Sequence, residues 1–341
     1  MRPILTPALR IATRKSPLAK WQAEYIRNRL IALHPNLQVD LVPMSTRGDK
    51  ILDTPLAKVG GKGLFVKELE TALINGDADL AVHSTKDVPM ELPAGLSLDV
   101  ICERANPFDA VVLSQQLLSK NDPQLENEQA LPMIPAGAVV GTSSLRRQCQ
   151  MAYARPDLTF KSLRGNVNTR LNKLDQGEFD VIILAAAGLE RLGFGERIFA
   201  YVDAETLLPA VGQGALSIEL RTDDNETHSL LRSLHHEPTA HCVYAERAMN
   251  RSLNGGCQVP IAGYATLDGG VLNLRGRVGA IDGTRLLQAN RSVHFSEVKQ
   301  VSESSHTYEN AEALGHEVAN LLLEDGAEAL LSQAYGLNRS D

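Results

Sequence analysis

The chain has few cysteines, no residue spacing typical of a metal site and no long apolar run. Its 341 residues include four cysteines, which form no Cys-x-x-Cys pair and no zinc-ligand spacing. We expect free thiols in a reducing cytoplasmic compartment and no metal site. Residues 1–10 lack the apolar core of a signal peptide, and no apolar run is long enough to span a bilayer, so no membrane association is expected.

Aromatic residues and net positive charge are also scarce. Aromatic residues make up 4% of the chain, and the formal net charge is -7. A nucleic-acid groove normally combines a positive surface with aromatic side chains for stacking, so nucleic acid is not expected as a partner. Hydrophobic residues make up 43% of the chain, which is enough to build the cores of two or three domains at this length.

Strand and helix patterns alternate through most of the chain. Two successive units read strand, helix, strand, which predicts α/β lobes whose sheets carry helices on both faces. After about residue 237, turn signals at Asp268–Gly270 and Asp282–Gly283 predict an antiparallel meander in a smaller α+β domain. The segment from Pro209 to Arg221 is extended, and spacing alone does not show whether it returns to the first sheet.

The first helix and two long connections carry further expectations. Helical spacing predicts that one face of the first helix packs in the core. The residues of that face are Leu18, Trp21, Tyr25, Ile26, Arg29, Leu30 and Leu33. The glycine-rich, charged stretch from Ser45 to Gly63 is typical of a functional loop or of disorder. The polar stretch from Ser114 to Pro135 is expected to be an exposed insertion.

Cationic side chains follow several predicted strands. Ligands of open α/β sheets bind beyond the carboxyl ends of the strands, and helix entrances favour anions. We therefore interpret six arginines as binding carboxylates or phosphates: Arg14 (with Ser16), Arg146, Arg147, Arg164, Arg170 and Arg191. For Arg191, the binding role and a solvated surface position are closely balanced. For Arg155, Lys161 and Lys173, a solvated basic face is the preferred interpretation.

Two further residues stand out. Cys257 lies in Asn254–Pro260, on a glycine turn between a helix and the meander, where it is presented on a loop. By itself a lone cysteine is more often a small buried hydrophobe, but the arginines favour a role in holding an anion. Asp87 follows a strand beside Lys86. It either stabilises a developing cation or is a structural ion pair or turn cap.

Five motifs together resemble those of the hydroxymethylbilane synthase (porphobilinogen deaminase) family. They occur in the family's order and cover nearly the whole chain: Ile11–Ala19, His83–Pro89, Gly141–Arg147, Ser162–Asn166 and Gly255–Pro260. The resemblance implies two lobes like those of periplasmic binding proteins, with doubly wound mixed sheets, and a smaller C-terminal α+β domain that carries the cysteine. The implied domains are 1–104 plus 214–234, 105–213 and 235–341.

The resemblance also implies a chemistry. A dipyrromethane cofactor would be bound to Cys257 through a thioether, and porphobilinogen would be the substrate of this monomeric transferase. Each substrate would lose ammonia to give an azafulvene, which the free α-carbon of the growing chain attacks. After four additions, hydrolysis would release hydroxymethylbilane, an intermediate of tetrapyrrole and haem biosynthesis.

Site residues are carried over from the family's motifs by position. The catalytic residues implied are Asp87 and Lys86. Cofactor contacts are implied at Lys86, Asp87, Ser144, Arg146, Arg147, Gly165 and Cys257. Substrate contacts are implied at Arg14, Ser16, Arg164, Arg170, Arg191 and Gln213, and a lid at Lys58 and Lys62.

One departure and one rival interpretation remain. Thr85 stands where the family more often has an apolar residue, which leaves the chemistry intact but alters local packing. The rival is a two-lobed binding protein for a small anion, without catalysis. Such a protein would keep the arginines but would have no use for Cys257.

Overall fold

The structure is a computed structural model that describes residues 8–46, 48, 63, 65–119, 131, 133–256, 259–294 and 308–337. The chain divides into two compact units. Unit 1 comprises the described residues of Met1–Thr54, Gly61–Arg104 and Ala215–Ala240. Unit 2 comprises those of Ala105–Gly214 and His241–Asp341.

Strands and helices alternate along the described residues. The strands are β1 (Leu9–Arg14), β2 (Val39–Met44), β3 (Leu80–Ser84), β4 (Leu96–Ile101), β5 (Asp109–Leu113), β6 (Val139–Gly141), β7 (Thr159–Lys161), β8 (Val181–Ala185), β9 (Ala200–Val202), β10 (Leu216–Arg221), β11 (Ile261–Asp268), β12 (Val271–Gly279) and β13 (Leu286–His294). The α-helices are α1 (Pro17–Leu33), α2 (Lys67–Ile74), α3 (Gln115–Leu118), α4 (Leu145–Ala154), α5 (Val167–Asp175), α6 (Ala186–Arg191), α7 (Asn225–Leu231), α8 (Glu237–Ser252), α9 (Glu309–Glu324) and α10 (Ala327–Leu337). Short 3-10 helices cover Thr85–Asp87, Gly195–Arg197 and Arg232–Leu234.

The sheet of unit 1 has the order β2-β1-β3-β10-β4. Strands β1, β2 and β3 run parallel, whereas β10 is antiparallel to both β3 and β4. Strand β10 follows the second lobe in sequence, so the chain does return to the first sheet after Pro209. The parallel strands therefore end at one edge of the sheet, where β1 leads to Ser16 and β3 leads to Asp87.

The first helix buries a different face from the one that its spacing predicts. The buried residues of α1 are Ala19, Gln22, Ala23, Ile26 and Leu30. Tyr25 and Leu33 are exposed, and Trp21 stacks on Tyr25 with ring centroids 5.3 Å apart. Small alanines let the helix approach the sheet closely, while the two rings cover each other. Only Ile26 and Leu30 of the predicted face lie in the core.

Unit 2 contains a second five-stranded sheet, which has the same arrangement of strand directions as the sheet of unit 1, and a third sheet. The order of the second sheet is β7-β6-β8-β5-β9. Strands β6, β7 and β8 run parallel, and β5 is antiparallel to both β8 and β9. The third sheet is the antiparallel meander β11-β12-β13. One hydrophobic core, including Met249, Leu274 and Val318, packs it against α8 and α9. The predicted fold class, two mixed α/β lobes with a smaller C-terminal α+β domain, is confirmed.

The second lobe and the C-terminal meander belong to one compact unit, and their predicted division at residue 235 stays a prediction. The 114–135 connection contributes to a core, because Leu131 and Ile134 are each 2% exposed. Their carbonyl oxygens also accept hydrogen bonds from Arg155 at 2.8 and 3.0 Å. Among the described residues, no helix is long and apolar enough to cross a membrane.

Candidate active site

A cleft opens in unit 1 beyond the ends of β1 and β3. Its empty volume is about 390 Å³, with open solvent at the mouth included. The lining residues are Arg14, Ser16, Leu18, Ala19, Gln22, Phe65, Val66, Val82, His83, Ser84 and Asp87. The structure thus brings Asp87 close to Arg14 and Ser16, which lie far from it in the sequence.

Local contacts set the positions of these side chains. The Ser16 hydroxyl caps α1 by accepting a hydrogen bond from the backbone N–H of Ala19, and Pro17 occupies the first turn. The Arg14 guanidinium lies over the Phe65 ring, 4.3 Å from its centroid, in a cation–π contact. Asp87 ends the 3-10 turn that follows β3. The cleft therefore offers a carboxylate for N–H groups or a cation, and a guanidinium for a carboxylate.

Four lining residues were not singled out from the sequence. They are Gln22, Phe65, His83 and Ser84. The Gln22 side-chain amide donates to the Ser84 hydroxyl at 2.7 Å and is 3% exposed. A polar residue on the buried face of a helix can indicate a functional residue, but this requires that the buried face be known. Phe65 carried no signal, because its contact with Arg14 depends on tertiary structure.

In unit 2, Arg146 and Arg147 converge on one buried carboxylate. Asp109 is fully buried; it lies 2.8 Å from an Arg146 terminal nitrogen and 2.7 Å from one of Arg147. The amide nitrogen of Gln213 adds a third contact at 3.0 Å. Burial raises the pKa of Asp109, but the two arginines outweigh it and hold that pKa well below its ordinary value.

This cluster changes the interpretation of three predicted ligand contacts. Arg147 also donates to the Ile183 carbonyl, and Gln213 to that of Pro107, so both side chains are engaged internally. Arg146 donates to the Leu208 carbonyl, while its Nε is buried and has no hydrogen-bond partner among the residues that the structure describes. At these positions two arginines share one buried carboxylate, so the cluster keeps a net positive charge. Ligand binding by these residues stays a prediction.

We expect Asp109→Asn to destabilise the protein by about 3–5 kcal/mol, because two buried guanidinium groups would lose the carboxylate that they share. Since folding lowers the pKa of Asp109, its contribution is present above pH ~4 and is lost as pH falls further. Urea unfolding between pH 3 and 7 measures both effects.

The matched control is Asp175→Asn, which removes the carboxylate of an exposed pair with Arg197. Exposed pairs contribute about 0–1 kcal/mol, so little change is expected. Equal losses in the two variants would contradict the proposed importance of the buried cluster.

Two neighbouring loops of unit 2 carry the remaining predicted cations. The Ser143 hydroxyl joins them by contacting the Ser162 hydroxyl at 3.0 Å and the Leu163 carbonyl at 2.8 Å. Gly165 has a φ of +114°, and a Cβ there would lie 2.7 Å from Thr169, so glycine is required. Arg170 Nε donates to the Gly165 carbonyl at 2.8 Å.

The other predicted side chains of unit 2 are placed as follows. Arg164 is half-buried, and burial lowers its pKa. The Ser144 hydroxyl caps α4 by accepting from the backbone N–H of Arg147. Arg191 donates to the Gly214 carbonyl at 2.7 Å. Lys86, in unit 1, is partly buried on the turn beside Asp87. Lys58, Lys62 and Cys257 lie outside the described residues.

The backbone before Cys257 forms a tight turn. Helix α8 ends at Ser252, Asn254 adopts a left-handed φ of 52°, and the Gly255 N–H bonds to the Asn250 carbonyl at 2.7 Å. A Cβ on Gly255 would lie 1.9 Å from the Asn250 side-chain oxygen, so only glycine fits. Asn254 and Gly256 are exposed, which suits a cysteine that carries a bulky covalent group. Among the described residues, no cluster of His, Cys, Asp and Glu could hold a metal ion.

The two α/β sheets share one arrangement of strand directions, and cationic side chains follow their parallel strands. Together with the additional α+β domain, these features define a class of α/β proteins that is suited to small anionic ligands. Family models narrow the class: "Porphobilinogen deaminase, dipyromethane cofactor binding domain" matches residues 9–229, and "Porphobilinogen deaminase, C-terminal domain" matches residues 240–324. The chain belongs to the porphobilinogen deaminase family, whose members are transferases that use a dipyrromethane cofactor.

Individual relatives differ greatly in their similarity. A chloroplastic porphobilinogen deaminase of Euglena gracilis is 57% identical over 335 residues, which cover 96% of this chain and 67% of that protein. A periplasmic aliphatic sulphonate binding protein of Escherichia coli has a TM-score of 0.39 and 16% identity over 72% of this chain and 70% of its own. CbnR, a LysR family transcriptional regulator, has a TM-score of 0.42 and 11% identity, covering 67% of this chain and 70% of its own. These two scores are too low to support a conclusion about the fold.

Proposed function

We propose that this protein joins four porphobilinogen units head to tail on a dipyrromethane attached to Cys257, and releases hydroxymethylbilane by hydrolysis. The observation that carries the proposal is the 57% identity to a porphobilinogen deaminase over 96% of the chain. The cleft of unit 1 supports it, because Asp87 and Arg14 offer both kinds of contact that a pyrrole with acidic side chains requires. The exposed turn before Cys257 provides room for the cofactor.

Within the cleft, each residue has a chemical role. Asp87 accepts pyrrole N–H bonds and stabilises the positive charge that develops as ammonia departs, since a fixed carboxylate favours a nearby cation. Arg14 pairs with a substrate carboxylate while Phe65 holds its guanidinium from the other face. Ser16 contributes to the same anion contact at the entrance of α1. Lys86, on the turn beside Asp87, assists at the cofactor.

In unit 2, the proposed roles divide between binding and support. Arg164 and Arg170, on the loop that enters α5, pair with acetate and propionate groups, and Arg191 contributes at the end of α6. Arg146 binds a cofactor carboxylate, while Arg147 and Gln213 hold Asp109 in place. Ser144 and Gly165 shape the two loops that face the cofactor. When bound, the dipyrromethane supplies a nucleophilic α-carbon that stays attached to the protein.

Several finer features belong to the same proposal. The protein works as a cytoplasmic monomer, without nucleic acid or a membrane as a partner. Its domains are 1–104 plus 214–234, 105–213 and 235–341. The acidic composition and the paucity of aromatic residues support the absence of a nucleic-acid partner.

The intact mass of the purified protein tests this function against the rival, a non-catalytic binding protein. We expect the mass of the chain plus one dipyrromethane, and conversion of porphobilinogen into hydroxymethylbilane. An unmodified mass after expression in cells that make porphobilinogen, together with no consumption of porphobilinogen, would favour the rival.

We expect Arg164→Lys to slow chain elongation about 10-fold or more while leaving folding intact, because lysine lacks the planar fork that binds a carboxylate with two hydrogen bonds. Product formation and thermal unfolding are the two measurements. Arg291→Lys, at an exposed position in β13, is the matched control and should behave like the wild type. Unchanged product formation in Arg164→Lys would place Arg164 on a solvated surface.

A further inference from the structure

Three titratable side chains are buried together behind the cleft of unit 1. His83 Nε2 lies 2.9 Å from Glu219 Oε2, and the two side chains are 4% and 0% exposed. Glu70, on α2, is also buried and interacts electrostatically with both. The surroundings are apolar: Leu69, Leu73 and Ala81 belong to the core at this face of the sheet. A buried charge is costly unless it is compensated, so the number of protons held by these three groups matters to the fold.

The three groups do not compensate one another completely. His83 contacts one oxygen of Glu219, and the second oxygen of Glu219 is buried without a hydrogen-bond partner among the described residues. Burial raises the pKa of Glu70 to about 7, and the negative charge of Glu219 acts in the same direction. His83 and Lys67 act in the opposite direction but do not cancel the rise. Glu70 therefore exchanges its proton close to neutral pH.

This cluster is joined to the cleft through β3. His83 itself lines the cleft, together with Arg14 and Asp87, which are the charged groups on that side. Strand β10 holds the end of β3 by two side-chain contacts: His83 with Glu219, and Thr85 with Ser217 at 2.5 Å. The turn that carries Asp87 follows directly. Protonation of the cluster thus acts on one of the side-chain contacts at the strand end that leads into this turn.

We propose that Glu70, His83 and Glu219 form a proton-holding cluster whose charge state positions the Ser84–Asp87 turn and sets the pH range in which the cleft works. They are positioning residues, since they act through Asp87. Functional sites commonly contain buried titratable groups of this kind. An apolar core at this strand would avoid the cost of burying charges, so the presence of three titratable groups here favours a functional role. The kinetic test of this inference rests on the proposed function, whereas the spectroscopic test does not.

The test uses the cofactor-carrying protein with ¹⁵N-labelled histidine. In the wild type, the His83 ring resonances should show a step near pH 7 that follows the charge on Glu70. Glu70→Gln removes that charge at constant shape, so the step should vanish. The control is Glu24→Gln, an exposed carboxylate on α1, which should leave the step unchanged. Identical His83 titrations in the wild type and in Glu70→Gln would overturn the proposal.

The kinetic part compares kcat between pH 6 and 9. Glu70→Gln should lose the limb of the profile near pH 7 and should keep the plateau rate to within about threefold, with KM nearly unchanged. A parallel loss of rate at every pH would reveal a merely structural role and would overturn the proposal. Absence of cofactor and of product in the wild type would refute the proposed function instead, and the His83 titration would still report on the cluster.

Discussion

Replacing Cys257 with serine should give a folded protein that carries no covalent pyrrole and forms no hydroxymethylbilane. Serine is similar in size to cysteine, but its hydroxyl is a far weaker nucleophile than a thiolate, so it should not form the corresponding bond. Intact mass spectrometry would measure the missing dipyrromethane, and circular dichroism would verify the fold. Because the substrate would have no primer, turnover should fall below detection.

The other cysteines provide the control. Cys102, Cys149 and Cys242 are buried, and burial raises the pKa of Cys149 to about 12, which keeps that thiol protonated and unreactive. Cys102→Ala should therefore retain the added mass. If Cys257→Ser still carried a covalent pyrrole, the attachment site would be a different residue and the assignment would be wrong.

Changing Asp87 to asparagine should leave the fold intact and lower kcat by about 10³-fold, which is the scale of losing one preorganised electrostatic contact to a transition state. Asparagine keeps the shape of the side chain but loses the charge that stabilises a developing cation. The affinity for substrate should change less than the rate, because Arg14 and Ser16 would still contact the carboxylate groups. Steady-state kinetics with porphobilinogen separates the two effects.

Asp40→Asn is a suitable comparison, because Asp40 is an exposed carboxylate on β2 of the same unit. It should show wild-type kinetics. A near-normal rate in Asp87→Asn would remove Asp87 from the mechanism and would leave it the structural role of a turn cap.

Much of the architecture was predictable because it depends on local patterns. Alternating strand and helix signals predicted both α/β lobes, and the turns at Asp268–Gly270 and Asp282–Gly283 correctly predicted the meander. The serine caps of α1 and α4 also follow from residue type and position. Which side chains are buried was harder to predict. Helical spacing assigned Leu18, Trp21 and Leu33 to the core, whereas the sheet packs against the neighbouring face of α1, which contains Ala19 and Ala23.

The candidate site divides in the same way. That Arg14, Ser16 and Asp87 follow the ends of strands is a property of the sequence, and the topology of the parallel strands brings them to one cleft. The partner of Arg146 and Arg147 was not predictable, because Asp109 is nearly forty residues away and its strand gave no hint of a buried carboxylate. The same holds for the cluster of Glu70, His83 and Glu219, which comes from one helix and two strands.

By itself, the sequence determined the fold class, the family and the type of chemistry, because motifs, caps and turns act over a few residues and are visible in one dimension. Only the tertiary structure decided which charges are compensated and which face the cleft. The physical reason is that burial and pairing depend on neighbours from distant segments. Asp109 binds two arginines in the protein interior, whereas Arg14 contacts the Phe65 ring at the cleft.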